Sequence, residues 1–179
     1  MEHQVLINLK SIITPRLIIR EWALGEEEIL VQAMNNTQIF VGLYGEEPSP
    51  NQYKLKHAIE YIKSNNEAHP RLAITLEDTI AGEIEATFNG DPQYASINYW
   101  IHPDHQGKGI ATEALRAFSE YLCNTYHIHH LEADVLEWNI KSIRTLENAG
   151  YHKSEKSEFY MPNHRANGIL EYIRPIHQE

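Results

Sequence analysis

With only one cysteine, Cys123, the chain can form neither an intrachain disulfide nor a cysteine-based zinc site. No hydrophobic run approaches the ~18 residues of a membrane span, because Arg, Glu or Lys interrupts every candidate. The opening Met1-Glu2-His3-Gln4-Val5 lacks the basic and apolar regions of a secretory signal. Basic residues are scarce too, 15 Lys and Arg against 25 Asp and Glu, so the formal charge is −10. Without a basic surplus to neutralise phosphates, direct nucleic-acid binding is disfavoured. A soluble, cytoplasmic protein without membrane contact is expected. Its acidic surface suits a cationic substrate or basic partner, and equally serves solubility alone.

What is present is ordinary globular material, 42% apolar and 22% charged over 179 residues, which excludes disorder. Neither repeats nor an interdomain linker divide it, so one domain over residues 1–179 is expected, with 1–13 partly mobile. Arg16-Leu17-Ile18-Ile19-Arg20-Glu21-Trp22 reads as a strand after Thr14-Pro15. Helical periodicity covers Glu26 to Asn36, and again Gln52 to Asn66 with Leu55, Ile59 and Ile62 as the stripe. The prolines in Gly45-Glu46-Glu47-Pro48-Ser49-Pro50 enforce a loop between them.

The period then changes. Strands Arg71–Leu76, Ile80–Phe88 and Tyr94–Ile101, joined through Glu77-Asp78-Thr79 and Asn89-Gly90-Asp91-Pro92, make an antiparallel meander. Beyond it come a helix Gly107–Tyr126, a strand Leu131–Leu136, a helix Ile140–Ala149, and strands near Tyr151–Tyr160 and Ile169–Arg174. The strand–helix–strand step is a right-handed parallel crossover. The fold class is α/β, with a mixed sheet flanked by helices.

The most informative stretch is Tyr99-Trp100-Ile101-His102-Pro103-Asp104-His105-Gln106-Gly107-Lys108-Gly109-Ile110-Ala111-Thr112. A strand enters a two-glycine turn and a helix begins at once, so the unpaired first-turn amides and the positive end of the helix dipole form a phosphate site. A Walker loop fails, because Gly109 follows Lys108. A dinucleotide fingerprint fails, because Thr112 stands where its third glycine belongs. The pattern Q/R-x-x-G-x-G/A is met by Gln106, Gly109 and Ala111, and this loop resembles the pyrophosphate loop of the GNAT N-acetyltransferases. Asn139-Ile140-Lys141-Ser142 through Gly150-Tyr151 resembles that family's next segment, with Asn139 also a good N-cap and Gly150 the opposite terminator. Arg16–Arg20 and Asn167–Tyr172 look like the branch containing ribosomal-protein N-terminal acetyltransferases.

The resemblance implies acetyl-CoA as co-substrate, no metal, and a central sheet whose strands ending at Ile101 and Leu136 splay apart. It implies that backbone groups of Tyr99, Trp100, Ile101 and His102 meet the pantetheine arm. Amides from Gly107, Lys108, Gly109, Ile110, Ala111 and Thr112 would hold the pyrophosphate, and Asn139 would reach the cofactor arm. Acceptor walls would come from Tyr44–Pro50 and the final hairpin. The implied reaction is acetyl transfer to a primary amine, preferentially a protein N-terminus, by a monomer or homodimer. A polyamine or aminoglycoside-like acceptor is the alternative, as is a silent acyl-CoA-binding module.

Many members place a tyrosine seven residues after the asparagine as acid for the leaving thiolate. Here that residue is Leu146, and Ser142, at the branch's spacing, takes the expected role, although it can equally be a first-turn helix residue. No base stands out, since Ser96 occupies a place where relatives often have a carboxylate. Glu83 and Glu85 project from one strand face, and Glu85 is the first candidate, against the plainer reading of an exposed sheet carboxylate. An α-amine is roughly 30% neutral near pH 7.4 and a lysine about 0.1%, so the lack of an evident base favours α-amines. The eleven histidines, His102, His105, His127, His129 and His130 among them, show no metal-ligand pattern.

Overall fold

Two apolar clusters, one on each face of a single sheet, decide where the elements lie. The computed structural model describes residues 11–49, 52–66, 69–88, 93–154 and 168–175. In chain order these hold β1 (Ile12–Ile13), β2 (Leu17–Glu21), α1 (Glu27–Met34), α2 (Thr37–Tyr44), α3 (Leu55–Lys63), β3 (Arg71–Leu76), β4 (Thr79–Phe88) and β5 (Tyr94–Ile101). A single 3₁₀ turn at Pro103–His105 leads to α4 (Ile110–Tyr126), β6 (His130–Leu136), α5 (Ile140–Asn148), β7 (His152–Lys153) and β8 (Ile169–Pro175). The sheet order is β1-β2-β3-β4-β5-β6-β8-β7. Among the described residues only β5 and β6 pair in parallel.

The apolar run of β3 follows from burial on both faces. Leu72 and Ile74 face a core shared with Ile110, Ala114, Leu115, Phe118 and Leu122 of α4, while Ala73 faces Leu30, Ala58 and Ile62 of α1 and α3. Trp22 and Trp100 close that second layer, their rings 6.5 Å apart and stacked. The apolar stripe of α4, Ile110, Ala114, Leu115, Phe118 and Leu122 at helical spacing, is its buried face, with Tyr121 only partly covered.

Three sequence expectations need correction. The helix expected to end at Asn36 ends at Met34, and Asn36 starts a new one: its side chain accepts from Ile39 N–H at 3.1 Å, and Gly45 ends α2 in a left-handed conformation. In α3 the buried residues are Ala58 and Ile62, whereas Leu55 is exposed. The long helix begins at Ile110, not Gly107, because both loop glycines have positive φ. Within the stretch expected to be partly mobile, Ile12–Ile13 form an edge strand paired with Ile18 and Ile19. The turn 89–92 and most of the stretch expected as the penultimate strand, 155–160, lie outside the described residues.

One irregularity positions the site. Ile74 pairs with Gly82 but Thr75 pairs with Ile80, so Ala81 is an extra residue in β4. Such a bulge bends and twists a strand, and Glu83 follows it two residues on, in regular register with Ala73. Gly82 is required by close approach, since a Cβ there would lie 2.2 Å from the Trp100 carbonyl oxygen. Gly82→Ala is therefore expected to force β4 from β5 and cost about 1–3 kcal/mol, read as a lower midpoint in thermal unfolding.

Candidate active site

The parallel ladder between β5 and β6 stops at Ser96 opposite Glu132. Past that point the strands part, while β5 continues to pair with β4 as far as Ile101 opposite Gly82. The β6-facing backbone edge of Tyr99, Trp100 and Ile101 is thus left without a strand partner, as a splayed pair requires.

The glycine turn sits at the end of this gap. Gly107 and Gly109 adopt φ of 73° and 75°, a region L side chains rarely enter, and Gly109 caps α4. The amides of the first turn have no intrahelical acceptor and point outward. The side chains expected here serve the loop itself. Gln106 donates from Nε2 to the Ile101 carbonyl at 3.0 Å and accepts from Gln38 on α2, while Lys108 Nζ donates to the Asp104 carbonyl at 2.8 Å. His102 Nδ1 accepts from the Asp104 amide at 3.3 Å and caps the 3₁₀ turn. Ile110 is buried in the core; Ala111 and Thr112 complete the turn. Among the described residues no group of three or more His, Cys, Asp or Glu could hold a metal.

Across the gap, Asn139 caps α5, its Oδ1 accepting from Ser142 N–H at 3.2 Å, and its Nδ2 donates to the Gly42 carbonyl of α2 at 3.5 Å. Ser142 Oγ lies 2.8 Å from the Tyr99 hydroxyl. Burial pushes the Tyr99 phenol up to about 12, so it stays protonated at neutral pH. Leu146, at the position where many relatives carry tyrosine, is wholly buried in the core.

The sheet's other face holds what sequence reasoning underrated. A cavity of about 400 Å³ is lined by Tyr44, Tyr53, Tyr61, Arg71, Glu83, Glu85, Asn98 and Trp100, and reaches Tyr99. Glu83 is only 4% exposed. Its Oε2 accepts from Trp22 Nε1 at 2.7 Å, and its Oε1 from Trp100 Nε1 at 3.1 Å and Tyr61 O–H at 3.0 Å. Desolvation, then the nearby Glu85 charge, raises the Glu83 carboxyl to about 7 despite these three donors. Glu85, the sequence's first candidate, is different: it is partly exposed and its Oε2 lies 3.6 Å from Arg71 Nε. The Tyr61 hydroxyl also reaches Glu85 at 3.2 Å, and the Arg71 guanidinium lies 4.3 Å over the Tyr61 ring. Tyr44, the last residue of α2 rather than part of a loop, borders this cavity, whereas Pro50 and most of the link between β7 and β8 lie outside the described residues. The sequence held one clue to Glu83, the Glu83/Glu85 alternation; its cover comes from Trp22 and Tyr61, remote in sequence.

Comparison with known proteins agrees with this architecture. The family model of the GNAT acetyltransferase domain matches residues 16–152. The probable N-acetyltransferase YjcK of Bacillus subtilis is 32% identical over 114 residues, a match spanning 63% of this chain and 61% of that relative. The chain thus covers about three fifths of the length of that curated relative. Among solved structures, RimL, a ribosomal-protein α-N-acetyltransferase in complex with coenzyme A, has a TM-score of 0.75 at 16% identity, covering 93% of this chain and 98% of that one. A spermidine N-acetyltransferase from Vibrio cholerae, in complex with CoA and spermine, has a TM-score of 0.73 at 20% identity, covering 90% and 96%. These likenesses show the fold, and the family match across most of the chain establishes that it belongs to the GNAT acetyltransferases.

Proposed function

We propose that the chain transfers an acetyl group from acetyl-CoA to a primary amine, with the N-terminal α-amine of a protein or peptide as acceptor. The observation that carries this reading is Glu83, a buried carboxylate raised to about 7, in a cavity that reaches the parted strands beside the glycine turn. Acetyl-CoA would supply the acetyl group already activated as a thioester. The residues fit it: the positive-φ glycines leave the amides of 107–112 open for a diphosphate, and the unpaired edge of Tyr99–Ile101 can accept an extended arm. Asn139 stands on the opposite side of the gap, where its capping bond fixes its orientation.

Glu83 takes the proton released by the acceptor amine. A carboxylate offers about four lone-pair positions and three are used, leaving one for the amine or a bridging water. A base near 7 matches an α-amine, whose ordinary pKa is about 7.7–8.0, far better than a polyamine or lysine amine near 10.4. Tyr61, held protonated by burial and by the Glu83 and Glu85 charges, orients Glu83 without competing for the proton. The Ser142 hydroxyl donates to the leaving thiolate, and the protonated Tyr99 beside it can restore that proton.

Turnover followed as free thiol release, with peptides, polyamines and aminoglycosides as acceptors, tests the reading. Peptide α-amines are expected to be used best; exclusive turnover of polyamines would overturn the acceptor, and CoA binding without thiol release would favour a silent module. Ser142→Ala should lower kcat about 10²–10⁴-fold with a smaller rise in the acetyl-CoA KM, and a loss below about threefold would leave Ser142 a helix-turn residue.

Glu83→Gln is expected to lower kcat/KM by at least about 100-fold and to abolish its rise with pH through about 7. Stability gives an independent check. The folded carboxyl, raised from 4.5 to about 7, binds its proton more tightly than the unfolded one, so its contribution is present below about 4.5 and is lost as pH rises through 7. The stability of the wild type relative to Glu83→Gln should therefore fall by up to about 3 kcal/mol between pH 5 and 8 in urea titrations.

A further inference from the structure

We propose that Arg16 is a positioning residue for the diphosphate loop, setting the Lys108–Gly109 peptide plane so that the Gly109 N–H faces the cofactor. This rests on the assignment of the glycine turn to the diphosphate. Arg16 lies on the edge segment between β1 and β2, far from the turn in sequence, and its Nη1 donates to the Lys108 carbonyl at 3.0 Å. In a trans peptide the C=O and the following N–H point in opposite directions. Drawing the Lys108 carbonyl toward Arg16 therefore turns the Gly109 amide away from Arg16. Gly109 needs such an anchor, because a glycine at φ 75° has no side chain to restrict it.

The guanidinium is itself fixed. Its Nε donates to Glu113 Oε2 at 2.7 Å, and Nη2 lies 2.6 Å from the same oxygen. Glu113 Oε1 accepts from the Thr14 hydroxyl at 2.6 Å and from the Arg16 amide at 3.2 Å. The Glu113 amide in turn donates to the Gly109 carbonyl at 3.0 Å. Gly109 is thus held through the carbonyl before it, by the Arg16 side chain, and through its own carbonyl, by the first backbone bond of α4. An acid in the first turn of α4 would by itself oppose a bound diphosphate; paired with Arg16, it costs little and serves as the anchor. The planar fork of arginine is essential, since a lysine cannot hold Glu113 and the Lys108 carbonyl together.

The test is CoA affinity by calorimetry for wild type, Arg16→Ala, Arg16→Lys and Glu113→Ala, each first verified as folded by circular dichroism, with backbone order parameters for Gly109 in the cofactor-free protein. Arg16→Ala and Arg16→Lys should both weaken CoA by about tenfold or more, and Glu113→Ala should weaken it too, although it removes a negative charge near the anion. The Gly109 order parameter should fall in all three variants, and the acetyl-CoA KM should rise while the acceptor KM and kcat hold. Wild-type affinity in Arg16→Lys, tighter binding in Glu113→Ala, or an unchanged Gly109 order parameter would each overturn the proposal by making Arg16 only a charge. A folded wild type that does not bind CoA would instead remove the loop assignment itself, and this proposal with it.

Discussion

Backbone amides and carbonyls buried away from water must find partners, and a sheet normally supplies them from the next strand. Beyond Ser96 this sheet does not, because β5 turns from β6 while staying paired with β4. Much of the site follows from that single interruption. The open edge creates a place for an extended ligand, the gap lets Tyr99 meet Ser142 from the other side, and α4 begins where β5 ends, with its amides aimed at the same space. A sheet paired to its full length would have the same core on each face and no slot through it.

The two faces contribute different chemistry. On the α4 side it is the backbone that is exposed, as left-handed glycines and first-turn amides that need no particular side chains. On the α1–α3 side the environment acts through one side chain. Trp22 and Trp100 exclude water from Glu83 while donating to it, so the carboxylate is both desolvated and held in place. Arg71, drawn to Glu85 and to the Tyr61 ring, spends its charge on the neighbour and leaves Glu83 high.

The features legible in the sequence are those set by local backbone demands. The Gln106, Gly109 and Ala111 pattern, the Asn139 cap and the apolar stripe of α4 are each specified within a few residues. Glu83 and Glu85 are equivalent at that range, two acids on one strand face. They are told apart by Trp22, Tyr61 and Arg71, which only the tertiary fold brings near. The helix α2 was hidden for a related reason: Ile39, Phe40 and Val41 favour strands, and the Asn36 cap and Gly45 terminator override them. Arg16 read as a flank of a β-strand because nothing in its own segment indicates Glu113 or Lys108.

Helix α2 touches both banks of the gap. Gln38 bonds Gln106 on the loop side, the Gly42 carbonyl receives Asn139 Nδ2 on the α5 side, and Gly45 lies against Leu136 at the end of β6. Tyr44, at its last turn, borders the cavity that contains Glu83. One short element therefore borders both the glycine turn and the cavity that contains Glu83. In the reaction proposed above, any free energy that the first substrate spends in settling α2 is returned to the second, and thermodynamic reciprocity makes the coupling equal in either direction of assembly. The order in which the two substrates arrive can thus be a matter of rates alone.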